Sequence, residues 1–465
     1  MRTNKTTSST RSAATFFSVF LTASFALSTT SFGNNQIEDS IKRQEVLTRS
    51  KILKNGVSFT ERDIPGSEIV HFEINIQDGQ YSLPESNRAL NSLTFDVLPL
   101  GSKKFSKEKI FSIAEKHSIG IQCSGGIEQS SCQFETVQEN FDKALEIFSS
   151  ILSEPVFEDQ DIGLMRDRRA ANYQQDLQNP EAYVNALVNK IFYPKGHPYR
   201  HLPNDGIEQL KSFKKADLTN YYNGLIKNSA SPVGAIFVGP TLSAQQKNRL
   251  ESLLSIFSNR KPSSIQVPEP QFDAKENFLF EHRPIPTAYI RAKFNVPGIK
   301  DKNAAAAKVL FEILSEELHE EIRTKRSLSY AISAATLQFT QGIGVLHAST
   351  SKPQDTIQAM SQVLKKVMDQ KYSPDKLAEY KNVFTTSYYM ALETHDNFAG
   401  SLASSVMYFN DPNHLYSFPK RIAAVTSEEI QSLAKATFKN LRVAVVYDES
   451  KFQPKWVEPL TNFGR

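Results

Sequence analysis

Two stretches of this chain, about 220 residues apart, repeat one another. Glu61-Arg62-Asp63-Ile64-Pro65 followed by Phe72-Glu73-Ile74-Asn75-Ile76 is echoed by Glu281-His282-Arg283-Pro284-Ile285-Pro286 followed by Lys293-Phe294-Asn295-Val296, with the Ile-Pro steps 221 and the apolar-Asn-apolar triplets 220 positions apart. Each copy then runs through a helical pattern, a pair of alternating strand-like segments and further helical patterns, including one that places Phe141, Leu145, Phe148 and Leu152 on a single face. Each copy closes on an apolar strand, Val233 to Val238 in the first and Val443 to Tyr447 in the second, preceded by Lys227-Asn228 and Lys439-Asn440 at an offset of 212. Ordered echoes of this kind predict two copies of one α+β domain rather than a single continuous core.

The domains expected are 45–240 and 276–450, with a linker region at 241–275 and a tail at 451–465. Within the linker, Asn259 to Phe272 holds Pro262, Pro268 and Pro270 with Ser263-Ser264, a composition that favours extended chain. Ahead of the first domain, Arg2, Lys5 and Arg11 precede an apolar run from Ala13 to Leu27, and no acidic residue occurs before Glu38. A basic start and a short apolar middle read as an export signal, residues 1–33, cleaved after Gly33 or, as the rival, after Ala26. A mitochondrial transit peptide is the alternative. Removing those residues leaves 51 basic against 50 acidic groups, so no nucleic-acid partner is expected. No later apolar stretch is long enough for a membrane span. The two cysteines, Cys123 and Cys132, flank a turn-like Ser124-Gly125-Gly126 and fit either a cross-strand disulfide or two buried thiols.

Arg323 and Tyr330 stand where a helical pattern, with Leu310, Leu314, Leu318 and Ile322 on one stripe, gives way to the alternation of Tyr330-Ala331-Ile332-Ser333-Ala334. At such a junction both side chains can face one cleft, and guanidinium and phenol are donors suited to a peptide carbonyl and to the oxyanion derived from it. The plain structural alternative is a helix-terminal Arg complementing the dipole and an ordinary strand aromatic.

The duplicated domain, this pair, and the run Leu318-His319-Glu320-Glu321-Ile322-Arg323-Thr324-Lys325-Arg326-Ser327-Leu328-Ser329-Tyr330 together resemble peptidase family M16, the pitrilysin-type metallopeptidases. Lys54-Asn55-Gly56-Val57 resembles the family's opening strand, Gly101-Ser102-Lys103-Lys104-Phe105-Ser106 its turn after the metal helix, and Ser153-Glu154-Pro155-Val156-Phe157 a helix break. His197-Pro198-Tyr199 followed by Gly206 is a further point of likeness. The resemblance implies two homologous domains, each a mainly antiparallel sheet with helices packed on it. In active members the first carries an inverted zinc motif, His-x-x-Glu-His, with a distant Glu as third ligand; two His one turn apart share a helix face and the intervening Glu polarises zinc-bound water.

Aligned on Gly101-Ser102, the motif positions fall on Ser92, Phe95 and Asp96, and aligned on Asn179-Pro180 the distal ligand falls near Asn172. A one-residue shift gives Asn91, Thr94 and Phe95, and no histidine lies between His71 and His117. No metal site is therefore expected in this chain. Elsewhere, His197 and His201 are separated by Pro198 and read as a turn, and His319-Glu320-Glu321 lacks a second histidine. Arg166, Arg168 and Arg169 read as a solvated helix face. The resemblance thus implies the non-catalytic subunit of a heterodimer, inactive alone. Its partner would be an M16 homologue bearing the zinc motif and the zinc, while Arg323 and Tyr330 would bind peptide substrate and the oxyanion from this side. The strand after Tyr330 would add to an extended peptide. Export implies the bacterial periplasm; the transit-peptide alternative implies the mitochondrial matrix. A scaffold or peptide-binding protein that has lost catalysis, like the respiratory-complex core subunits resembling this family, is the other functional reading.

Overall fold

The structure is a computed structural model that describes residues 45–261, 265–270 and 276–464; the leader lies outside the described residues. The first half contains β1 (Thr48–Ile52), β2 (Ser58–Asp63), β3 (Ile69–Ile76), α1 (Arg88–Val97), α2 (Lys107–Lys116), β4 (Gly120–Gly125), β5 (Ser130–Val137), α3 (Phe141–Ser153), α4 (Asp159–Gln178), α5 (Pro180–Phe192), α6 (Pro203–Ser212), α7 (Lys215–Asn223), β6 (Val233–Gly239) and α8 (Ala244–Leu254). The second repeats the plan in β7 (Phe278–His282), β8 (Ala288–Val296), α9 (Ala304–Leu318), β9 (Ala331–Gln338), β10 (Gly342–Thr350), α10 (Pro353–Asp369), α11 (Pro374–Met390), α12 (His395–Phe409), α13 (His414–Ala424), α14 (Ser427–Thr437) and β11 (Arg442–Tyr447), and ends in α15 (Glu458–Thr461).

The sheets have one topology. Their orders are β1-β2-β6-β3-β5-β4 and β7-β11-β8-β10-β9, so the second is the first without its outermost strand. In each, one pairing is parallel, β2 with β6 and β7 with β11, and the rest are antiparallel. The expected α+β fold of two homologous, mainly antiparallel domains is what the chain adopts. Phe141, Leu145, Phe148 and Leu152 of α3 are all buried in the first core, where Phe148 meets Phe72 and Phe134 edge-on. The stripe Leu310, Leu314, Leu318 and Ile322 is wholly buried in the second.

The closing strands explain why their sequences lack polar alternation. Val233, Ala235 and Phe237 of β6 face the first core, while Ile236 and Val238 face the opposite way, against Phe398, Ala399, Leu402 and Val406 of α12 from the second half. Reciprocally, Val443 and Val445 face the second core, and Ala444 and Val446 receive Val184 and Val188 of α5 from the first half. A strand covered on both faces must be apolar throughout. α12 approaches closely at Gly234, where a Cβ would lie 2.9 Å from Met407 Sδ and displace that side chain. Both crossing helices begin on side-chain caps: Asn179 Oδ1 accepts from the Glu181 amide before α5, and Thr394 Oγ1 from the Asn397 amide before α12.

One element falls outside the expected boundaries. Residues 241–275 read as linker, yet α8 within them places Leu250, Leu253 and Leu254 in the first core. The described part of the connector is also anchored: Arg260 donates to the carbonyls of Leu225 and Ile226, and Ile265 is buried. No helix among the described residues is long and apolar enough to cross a membrane.

Candidate functional site

Arg323 and Tyr330 are brought together at the end of α9. Beyond Leu318 the helix widens into a π-helical segment, His319–Lys325, and the chain reverses through Ser327, which adopts a left-handed φ of 50°. Ion pairs from Lys325 to Glu320 and Glu321, and from Arg326 to Glu321, brace the turn. The Leu328 amide donates to the Ile322 carbonyl at 2.9 Å, closing it. Ser329 is buried and its hydroxyl donates to the carbonyls of Ala331 (3.0 Å) and Ser349 (2.8 Å), so Tyr330 is presented from a fixed backbone.

The Arg323 guanidinium carbon lies 4.5 Å from the centroid of the Tyr330 ring, a cation–π stack. Tyr330 is 81% exposed although it heads a strand, and Arg323 is exposed beside it. The ring stands in solvent immediately ahead of β9, with the guanidinium stacked over it. The adjoining β9 is an edge strand, hydrogen-bonded to β10 on one side only. Two donors and an open sheet edge therefore lie side by side, an arrangement able to take an extended peptide along the edge and hydrogen-bond a carbonyl at its end.

The positions aligned with the zinc motif sit on α1, but not as ligands. Ser92 is fully buried and its hydroxyl accepts from Gln80 Nε2 at 2.8 Å. Phe95 is part of the first core, and Asn172 on α4 is exposed. Asn91 and Thr94, the shifted alternatives, are also fully buried, with Asn91 Nδ2 donating to Ser130 Oγ and the Tyr221 hydroxyl. Asp96 is the one carboxylate, and Arg169 takes it: Nε and Nη2 lie 2.7 and 2.6 Å from Oδ2. Burial raises the Asp96 carboxyl above the usual range, against the pull of Arg169.

His201 packs on Tyr173 at 5.4 Å, and burial together with the charges of Arg169 and Arg88 lowers its imidazole to about 4. A guanidinium occupying the sole carboxylate, in a field that already repels cations, does not fit a zinc ion. Nor does any group of three His, Cys, Asp or Glu with metal-holding geometry occur among the described residues. The expectation that Arg169 belongs to a solvated face is corrected here: it faces inward to Asp96, while Arg168 is exposed.

The remaining candidates are structural. His197 is buried, stacks on Tyr193 and bonds through Nε2 to the Pro268 carbonyl at 2.9 Å, in a turn rather than on a helix with His201. Cys123 and Cys132 face each other across β4 and β5 and form a disulfide. One participant that sequence reading missed is Glu128, at the tip of that hairpin. It is 2% exposed and accepts from the hydroxyls of Tyr199 and Tyr408 and from the Thr340 amide. Nothing in its local sequence, Gly126-Ile127-Glu128-Gln129, distinguishes it from a solvated turn residue.

Two interlocked α+β halves with the metal positions filled by core and ion-pair residues define a peptidase-type fold without its metal centre. The description "Insulinase (Peptidase family M16)" matches residues 89–206 and "Peptidase M16 inactive domain" matches residues 212–384, and the chain belongs to peptidase family M16, among its members lacking the zinc motif. No curated protein matches the sequence. Among solved structures, a peptidase M16 inactive domain from Pseudomonas fluorescens is similar with a TM-score of 0.77 at 15% identity, covering 86% of this chain and 98% of that one. Complex III2 from Candida albicans, with Inz-5 bound, contains a chain similar at 0.72 and 14% identity, over 89% of this chain and 99% of its own. The periplasmic protease PqqL from Escherichia coli gives 0.69 at 14% identity, over 86% of this chain and 45% of that one. At these identities the likeness establishes the fold.

Proposed function

We propose that this chain is the non-catalytic subunit of an exported two-chain M16 peptidase, binding peptide substrate at Arg323, Tyr330 and the β9 edge while a zinc-bearing M16 partner supplies the hydrolytic centre. The observation that carries the reading is the solvent-exposed Arg323–Tyr330 stack beside an edge strand. In this reading Tyr330 donates to the scissile carbonyl as negative charge develops on it, and Arg323 holds the substrate backbone nearby. Zinc belongs to the partner, since Ser92, Phe95, Asp96 and Asn172 offer it no site. Export is supported by the sequence of residues 1–33 and is compatible with the periplasmic location of PqqL.

A scaffold or peptide-binding role without catalysis is the second reading, favoured by the Asp96–Arg169 pair, which closes the old metal position as an ordinary core contact would. The two readings separate in one experiment. Peptide hydrolysis is measured for the mature chain alone, for a zinc-motif M16 homologue from the same genome alone, and for their mixture. Activity that requires both chains supports the heterodimer. A partner whose rate is unaffected by this chain overturns it, and activity of this chain by itself would overturn both readings.

A further inference from the structure

The bridge between Cys123 and Cys132 closes a loop whose tip residue, Glu128, lies against the second half. Its carboxylate accepts from Tyr199 of its own half and, across the interface, from the hydroxyl of Tyr408 on α12 and the amide of Thr340 in the β9–β10 turn, 3.1 and 3.2 Å from its two oxygens. The neighbouring Gln341 amide reaches the Tyr199 hydroxyl at 3.5 Å. Around these polar contacts Ile127, Tyr199, Phe192, Phe339 and Ile343 form an apolar cluster drawn from both halves. A carboxylate in such surroundings is stable only while its donors are held in place, and the donors are left unpaired if it withdraws.

The loop is held in turn by the hairpin. β4 is an edge strand, paired to β5 alone, and the disulfide joins the two strands directly at the facing pair 123 and 132. The loop also fits without slack: a Cβ on Gly125 would lie 2.2 Å from Asn91 Oδ1, and one on Gly79 would lie 2.5 Å from the Ile127 carbonyl oxygen. We propose that the bridged loop is a redox-dependent latch between the two halves, in which the disulfide keeps Glu128 seated on Tyr408 and Thr340 and its reduction releases them. Reduction by a dithiol delivers two electrons and two protons to the bridge, giving two thiols on the chain and a disulfide on the reductant. The freed edge strand then frays, Glu128 becomes solvated, and the turn carrying Thr340, which ends the strand begun after Tyr330, loses its anchor. This does not depend on the peptide-binding reading.

The Thr340 and Gln341 amides report the latch directly, since the acceptors they use are its own groups. Hydrogen–deuterium exchange of the full mature chain is followed before and after treatment with dithiothreitol, in the Cys123→Ser/Cys132→Ser variant, and in Glu128→Gln and Tyr408→Phe with the bridge intact. The expected result is exchange at residues 339–342 faster by at least about tenfold in all four cases, with β6 and β11 unchanged. Equal exchange at 339–342 in oxidised and reduced chains overturns the proposal. So does a general rise that includes β6 and β11, which would make the bridge a staple of the whole domain, and so do free thiols in the air-oxidised chain.

Discussion

Arg169 on α4 donates through Nε to Asp96 Oδ2 on α1 at 2.7 Å, across the position where active relatives would gather their zinc ligands. The guanidinium answers the one carboxylate left at that place. Breaking a part-buried pair from one side leaves the other charge desolvated, whereas replacing both with apolar groups of similar size removes the demand altogether. Arg169→Met is therefore expected to destabilise the chain by about 3 kcal/mol, and Asp96→Leu with Arg169→Met to recover most of that loss. Chemical denaturation of both single variants and the double variant measures this; a double-variant loss equal to the sum of the two single losses would show that the pair is not coupled. None of these variants is expected to acquire zinc.

The interface between the halves also carries a pH response. His71 on β3 is fully buried, with Glu135 Oε2 3.3 Å from Nδ1 and Glu73 Oε2 3.6 Å from Nε2, and with Asp396 and His395 of α12 close by. Burial alone would depress the imidazole, but the two carboxylates outweigh it and hold it at about 9. The folded chain keeps a proton that the unfolded chain loses near 6.5. The stabilisation is thus complete below about pH 6.5 and lost as pH rises to about 9, an effect on the order of 1–3 kcal/mol. Melting curves of wild type and His71→Gln should converge over that interval, and parallel curves would remove the assignment.

On the corresponding strand of the second half the sign is opposite. Lys293 on β8 is buried, bonded to Asn189 of α5, and burial together with Arg291 lowers its ammonium to about 7. Its cost to folding is largest below about pH 7 and is relieved as pH rises toward its unfolded value near 10.4. Lys293→Gln keeps a donor for Asn189 and discards the charge. It should stabilise the chain by roughly 1 kcal/mol or more at pH 6 and by little at pH 10, read from denaturant midpoints at the two values. A larger gain at pH 10 than at pH 6 would contradict the argument.

Much of this architecture was legible because each half writes its periods plainly. The stripe from Leu310 to Ile322 and the face from Phe141 to Leu152 are helical spacings, and the runs at 233–238 and 443–447 are strands too apolar to have a solvated face. What the runs do not tell is which helix covers the second face, because α5 and α12 cross between halves, a contact between residues some 160 to 260 positions apart. The prolines after α8 pull the apparent linker boundary ahead of that helix, although Leu250, Leu253 and Leu254 have helical spacing. Arg169 resembled its exposed neighbour Arg168 until a carboxylate 73 residues away selected it. The loss of the zinc ligands, by contrast, is a matter of residue type at aligned positions and needed no tertiary information.

The Arg323–Tyr330 stack yields the prediction that bears most directly on activity in the presence of a zinc-bearing partner. If Tyr330 donates to the developing oxyanion, its hydroxyl contributes in the transition state more than in the bound substrate, so Tyr330→Phe should lower kcat by about 10²–10³ with little change in KM. Arg323→Ala removes both the proposed backbone contact and the cation stacked on the ring, and is expected to raise KM as well as lower kcat. Because both side chains are exposed, neither substitution should move the melting temperature by more than a degree or two. Steady-state kinetics of the reconstituted pair, with calorimetry of this chain alone, separates the two effects. Unchanged turnover in Tyr330→Phe would remove the oxyanion role, and a rise in KM without loss of kcat would leave Tyr330 as a binding residue only.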